Sequence, residues 1–138
     1  MALINGIPDE SKGEMQDLLF KDSRKNKTFV VDRERKGVKK ARLFYDTVCT
    51  YEKEGKTVSL IHITLDTGRS HQIRAQFSSR KMPLVGDGKY DVNHKSKTGV
   101  KYQMLCSHYL KFDFKTDGGI LSYLDGNDFY SGFDMESL

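Results

Sequence analysis

A run of β-branched and aliphatic residues from Thr57 to Leu65 breaks at Thr67-Gly68, and Arg69-Ser70-His71-Gln72-Ile73-Arg74 follows at once. This junction constrains the fold more than any other stretch, because it reads as a strand delivered straight into the start of a helix. Ser70 is placed to cap that helix. Ile73 and Phe77 then lie four residues apart on one side, while His71, Arg74 and Ser78 share another. One face packs and the other is left to work. Pro83 cannot continue the helix, and Gly86-Asp87-Gly88 permits a tight turn before Tyr90.

The remainder reads mainly as antiparallel strands. Candidates are Thr28 to Asp32, the alternating Ala41, Leu43, Tyr45, Thr47, Cys49 and Tyr51, and Thr57 to Leu65. Arg33-Glu34-Arg35-Lys36-Gly37 forms a charged turn, and Glu52-Lys53-Glu54-Gly55-Lys56 forms a hairpin loop in which Gly55 takes positive φ. Near the N-terminus Ile7-Pro8-Asp9-Glu10-Ser11 is a turn cluster, and Met15, Leu18, Leu19 and Phe20 have the spacing of a short helix or an irregular packed segment. Asp91 to Lys101 is polar and loop-like. Tyr102 to Phe114 reads as one or two strands, and Ile120 to Leu124 as a short strand between turns at Gly118-Gly119 and Asp125-Gly126. The expected class is mixed α/β, in the α+β sense: a largely antiparallel sheet with few helices.

At 138 residues one domain is the default, and no repeat, linker or low-complexity tract divides it. With 37% apolar and 30% charged residues and no Trp, the composition fits part of a larger fold better than a dense independent core. Cys49 and Cys106 are far apart and the four histidines are scattered, so neither a disulfide framework nor a zinc site is indicated. A reducing cytoplasm fits that cysteine usage. No charged leader runs into an apolar stretch and nothing is long enough to cross a bilayer, so a soluble protein with no membrane partner is expected.

The net charge of +4 is unevenly spread. From Lys21 to Arg42 there are ten Lys or Arg, Lys39 and Lys40 among them, against three acids; Asp113 to Leu138 holds six acids and one Lys. The basic segment suits a polyanion, although the same lysines serve equally to solvate hairpin surfaces. Arg74, early in a helix that follows a strand, is held by the backbone so that its planar fork can be aimed at a carboxylate or phosphate. Arg69 and His71 flank a turn whose backbone N–H groups favour anions, and a phosphate suits that corner. His71 can as well cap or bond the turn, since the spacing supplies it with no Ser or Cys nucleophile.

Thr67-Gly68-Arg69-Ser70-His71-Gln72-Ile73-Arg74 resembles the Thr-Gly-Arg-x-His-Gln-Ile-Arg motif of the RluA-type RNA pseudouridine synthases. Pro83-Leu84-Val85-Gly86-Asp87 with Tyr90 resembles its Pro-x-x-Gly-Asp-x-x-Tyr continuation, and weaker likeness covers Leu19 to Lys25, Gly37 to Tyr45 and Leu105 to Phe112. The resemblance implies that residues 1–138 are the C-terminal portion of such a catalytic domain. It further implies a reaction without metal or organic cofactor, in which an aspartate attacks while the uridine glycosidic bond breaks and the base is rejoined through carbon. The partner would be ribosomal or transfer RNA.

Carried over by position, Arg74 pairs with the nucleophilic aspartate and keeps it ionised and oriented. Ile73 helps wall the uracil pocket, Arg69 and His71 shape the pocket or touch RNA, and Lys39 and Lys40 belong to the RNA-facing charge. Thr67, Gly68, Gln72, Pro83, Gly86, Asp87 and Tyr90 form the structural frame. The family's His-Arg-Leu-Asp-Arg and Lys-x-Tyr-x-Ala stretches have no counterpart among these residues, and neither Asp66 nor Asp87 inherits the nucleophile's role. The chain is therefore expected to be a truncated piece, inactive alone, with an exposed sheet edge or apolar patch open to self-association. A non-catalytic RNA-binding protein and an interaction domain of the same ancestry stay open as alternatives.

Overall fold

The computed structural model describes residues 1–91, 100–133 and 135. The chain divides into two compact units, Ala2–Leu105 and Met1 with Cys106–Leu138. The larger contains β1 (Ala2–Asn5), β2 (Lys12–Asp22), β3 (Lys27–Val31), β4 (Val38–Lys53), β5 (Lys56–Leu65) and α1 (Gln72–Ser79). Its five strands pair antiparallel in the order β1-β5-β4-β2-β3. The fold is the expected mixed, sheet-dominated one with few helices.

Local chemistry explains most of the elements. Glu54 (φ 51°) and Gly55 (φ 73°) take consecutive left-handed conformations, which match the twist of the β4–β5 hairpin. The alternation along β4 does not run unbroken to Tyr51: Thr47 pairs with Ile61 and Cys49 with Leu60, so Val48 is the extra residue of a bulge. The short helix or irregular segment expected around Met15–Phe20 is instead β2. That strand lies between β4 and β3, and it carries apolar groups on both faces. Met15 and Leu19 are buried on one side, while Phe20 on the other lies beneath the Arg35 guanidinium at 4.6 Å. Two-sided packing erased the alternation that would have marked a strand.

Helix α1 covers one face of the sheet. Phe77, wholly buried, joins Ala2, Ile4, Met15, Leu43, Ile61 and Leu84, with Ile73 packed at the margin; Ala75 meets Leu19, Ala41 and Tyr90 in a second cluster. Burial of Phe77 alone contributes about 2–3 kcal/mol. The outer edge of β1 is covered, because Asn5 N–H donates to Pro83 O (2.9 Å), Val85 N–H to Leu3 O (2.9 Å) and Leu3 N–H to Met104 O (3.1 Å). At Gly86 (φ 78°) an added Cβ would stand 2.1 Å from the Tyr102 carbonyl oxygen, so both conformation and space demand glycine.

Ser70 does not cap α1. The N-cap is His71, left-handed at φ 53° and without a side-chain cap bond. The smaller unit has a two-stranded sheet of β6 (Tyr109–Lys111) and β7 (Asp128–Tyr130), so β6 is all that pairs within this unit from the strands expected over Tyr102 to Phe114. The short strand expected at Ile120 to Leu124 is a 3-10 helix, Gly119–Leu124. Asp117 Oδ1 accepts the Gly119 N–H (2.9 Å), and Gly119 takes φ 55°, which bends the chain before a strand can start. Ile120 is 93% exposed, Tyr123 72% and Tyr130 68%. The polar loop expected at Asp91 to Lys101 falls largely on residues 92–99, outside those described. No helix among the described residues is long and apolar enough to cross a membrane.

Candidate active site

β5 is fastened to β4 where the motif begins. The Thr67 hydroxyl accepts the Arg42 N–H (2.9 Å) and donates to Gln72 Oε1 (2.9 Å). Gln72 Oε1 also accepts the Arg69 N–H (2.9 Å), and its Nε2 donates to the Arg42 carbonyl (3.0 Å). The buried Gln72 amide caps no helix N–H but ties the turn before the helix to β4, each bond being worth about 1 kcal/mol net. Arg69 Nε donates to the Lys40 carbonyl oxygen (3.0 Å), which fixes that guanidinium against β4.

From the first turn of α1, Arg74 reaches the 86–90 turn. Its Nε donates to Asp87 Oδ2 and its Nη2 to Oδ1, both at 2.7 Å, with side-chain exposures of 13% for Arg74 and 0% for Asp87. Burial pushes the Asp87 carboxyl upward, yet the Arg74 fork and the N–H groups of Lys89 and Tyr90 outweigh it and hold the group below the ordinary carboxylate range. Asp87 is therefore more than a turn residue. Among the described residues Arg74 Nη1 has no hydrogen-bond partner.

Tyr90 completes the corner. The Arg74 guanidinium lies 4.9 Å and the Lys27 ammonium 4.8 Å from the centre of its ring. Its hydroxyl oxygen accepts the Thr28 N–H (2.7 Å) and lies 2.9 Å from His71 Nδ1. When His71 carries its proton on Nε2, Nδ1 accepts the phenolic proton. Burial first, then the charges of Arg74, Lys89 and Lys21, lower the His71 pKa below its usual value, which favours this neutral form. Ser78 Oγ donates to the Tyr90 carbonyl (2.8 Å). The face shared by His71, Arg74 and Ser78 is thus the one that binds Asp87 and Tyr90. Thr28 was missed in the sequence; its only signal was a place in a strand.

The remaining sequence candidates separate. Ile73 packs on the core margin. Lys39 shares a concavity with Arg69 and Gly68, joined by Lys21, which sequence reasoning left undistinguished within the basic segment. Lys40, one residue on, lies on the opposite face of β4, and its Nζ is 3.3 Å from Glu34.

Residues 1–79, more than half of the chain, match the family model for RNA pseudouridylate synthase. The chain belongs to this family. It is 29% identical over 119 residues to an uncharacterized RNA pseudouridine synthase of Mycobacterium bovis, covering 85% of this chain and 36% of that protein. Against ribosomal large subunit pseudouridine synthase C of Buchnera aphidicola it is 33% identical over 118 residues, covering 81% and 36%. The chain thus spans about a third of the length of these curated relatives. Human RNA pseudouridylate synthase domain containing 1 superposes with a TM-score of 0.70 at 21% identity, over 99% of this chain and 61% of that one. The human domain containing 4 protein gives 0.52 at 22%, over 77% and 41%. At these identities the two structural matches establish the fold.

Proposed function

We propose that this pseudouridylate synthase family member forms the C-terminal portion of a catalytic domain that isomerises uridine to pseudouridine in RNA. In this reading it supplies the helix-borne arginine and part of the RNA-facing surface, and a nucleophilic aspartate is supplied from outside these 138 residues. The observation that carries the reading is the state of Arg74. Asp87 grips the guanidinium through Nε and Nη2, so the side chain is preorganised and its Nη1 edge is left to orient a second carboxylate. Ile73, Arg69 and His71 are the neighbours available to wall a flipped uracil and its phosphates. One relative is named for the large ribosomal subunit, so ribosomal RNA is the first substrate to try and transfer RNA the second.

The test is release of tritium from RNA labelled at uracil C5, the proton lost when the base is rejoined through that carbon. The chain alone should release none, and the protein that includes the aspartate segment should. Arg74→Ala is a poor probe of catalysis, because it strands the buried Asp87 carboxylate and destabilises the fold as well. Arg74→Lys keeps a cation beside Asp87 but loses the fork, so catalysis should fall by at least about 100-fold with a much smaller loss of stability. Full activity in Arg74→Lys, or release by the chain alone, would sink the assignment. The exposed apolar groups of the smaller unit favour self-association of the isolated chain as a secondary property.

A further inference from the structure

The face of the sheet under α1 changes character along its length. Lys39 stands opposite Leu19 and Lys21 opposite Thr28, and residues paired across strands or two apart along one share a face. Met15, Leu19 and Lys21 on β2 therefore lie beside Leu43, Ala41 and Lys39 on β4. Met15, Leu19, Leu43 and Ala41 are buried, while the two lysines follow at the end of the face next to Gly68, Arg69 and Ser70. Together they line a cavity of about 170 Å³.

Three features set this cavity apart from an ordinary solvated face. Lys40 next door has Glu34 for a partner, whereas among the described residues no carboxylate lies within ion-pair distance of Lys21, Lys39 or Arg69. Arg69 is tethered through Nε to the Lys40 carbonyl, so its fork is held in place at little further entropic cost. Gly68 has no positive φ, and a Cβ added there would meet nothing within 4 Å. Neither backbone nor packing requires glycine at that point; a ligand approaching the bare backbone would.

We propose that Lys21, Lys39 and Arg69 bind one phosphodiester group of an RNA strand, seated against Gly68. The inference rests on RNA being the substrate. Among the described residues no aromatic ring lines the cavity to stack a base, and cations without base-edge partners position a backbone instead of reading sequence. A water's share of liquid is about 30 Å³, so the space takes a phosphate with several waters. Arg69 and Ser70 lie in the same turn as His71, so a strand whose target nucleotide enters the Arg74 corner carries a neighbouring phosphate past this cavity.

Fluorescence anisotropy of a labelled ten-nucleotide oligouridine with the 138-residue chain, across a potassium chloride series, tests it. The Lys21→Gln/Lys39→Gln double variant should bind about 10-fold more weakly at low salt, with the slope of log affinity against log salt reduced by about 1. Gly68→Val should weaken binding comparably at an unchanged unfolding midpoint, and Lys56→Gln should change affinity less than about 2-fold. A neutral methylphosphonate oligomer should bind wild type and double variant equally weakly. Wild-type affinity and slope in both cavity variants, no binding by wild type at low salt, or tight binding of the methylphosphonate oligomer would each overturn the site. So would displacement by inorganic phosphate beyond its ionic-strength effect, which would mark a free-anion site. Tritium release reads the catalytic proposal separately: charge-dependent binding here without release by the aspartate-bearing protein would leave the cavity standing and remove the catalysis.

Discussion

At the strand-to-helix corner the polar side chains hold one another, whereas the unit of Met1 and Cys106–Leu138 leaves large apolar groups in the open. Thr67 and Gln72 bond each other, and Arg74, Asp87, Tyr90 and His71 form a second, connected set of bonds. The smaller unit combines short local bonds, such as Phe114 N–H to Asp125 Oδ1 (3.0 Å), with ring contacts of Tyr109 with Tyr130 at 4.8 Å and Phe112 with Phe129 at 6.0 Å, around strands of three residues. A hairpin of that size is marginal by itself. The difference teaches that single substitutions should be felt sharply where bonds are specific and scarcely where apolar surface is only collected.

The strongest way to break this comparison is Asp87→Asn. It removes the charge that Arg74 was built against and should cost about 3 kcal/mol in urea unfolding at neutral pH. Because the folded carboxyl is held below its ordinary 3.8, its contribution is present above that value and is lost as pH falls through the folded pKa. The variant should lack that acid limb. A loss below about 0.5 kcal/mol would mean the fork is decorative.

His71→Asn sharpens the comparison with a smaller effect. Asparagine tolerates the left-handed φ of 53°, which offsets part of the lost bond to Tyr90, so stability at pH 7 should move by no more than about 1 kcal/mol. The acid dependence should move more. With the folded imidazole held below 6.5, the unfolded chain takes up that proton first, and wild-type stability should decline as pH drops below about 6.5. The variant should stay level from pH 7 to about 5; a parallel decline would clear His71 of responsibility. Last and smallest, Ile120→Ser at a site 93% exposed should change stability by less than about 0.5 kcal/mol. A larger loss would show that the smaller unit is more tightly determined than its contacts suggest.

Legibility in the sequence followed the same division. β3, the β4–β5 hairpin and α1 were readable because turn residues and one-sided apolar spacing mark them locally. β2 was not, since apolar groups on both faces removed its period, and Val48 broke the parity of β4 without a local marker. At the candidate site the residue set was legible and the connections were not. Arg74 was read as a tool awaiting a carboxylate, yet Asp87, thirteen positions on, already occupies two of its donors. Lys39 and Lys40 were indistinguishable as neighbours in a basic run, and strand alternation alone sends them to opposite sides. Ser70 was no cap, and Gln72, whose longer amide reaches Arg42 and Arg69 at once, anchors the turn before the helix instead.

The phenol ring of Tyr90 touches a cation from the helix and another from β3, while its oxygen is shared between a strand amide and an imidazole. It cannot swing aside without unfastening all of them. Any displacement of the helix start would therefore pull on β3 through this one ring, so the two move as a block.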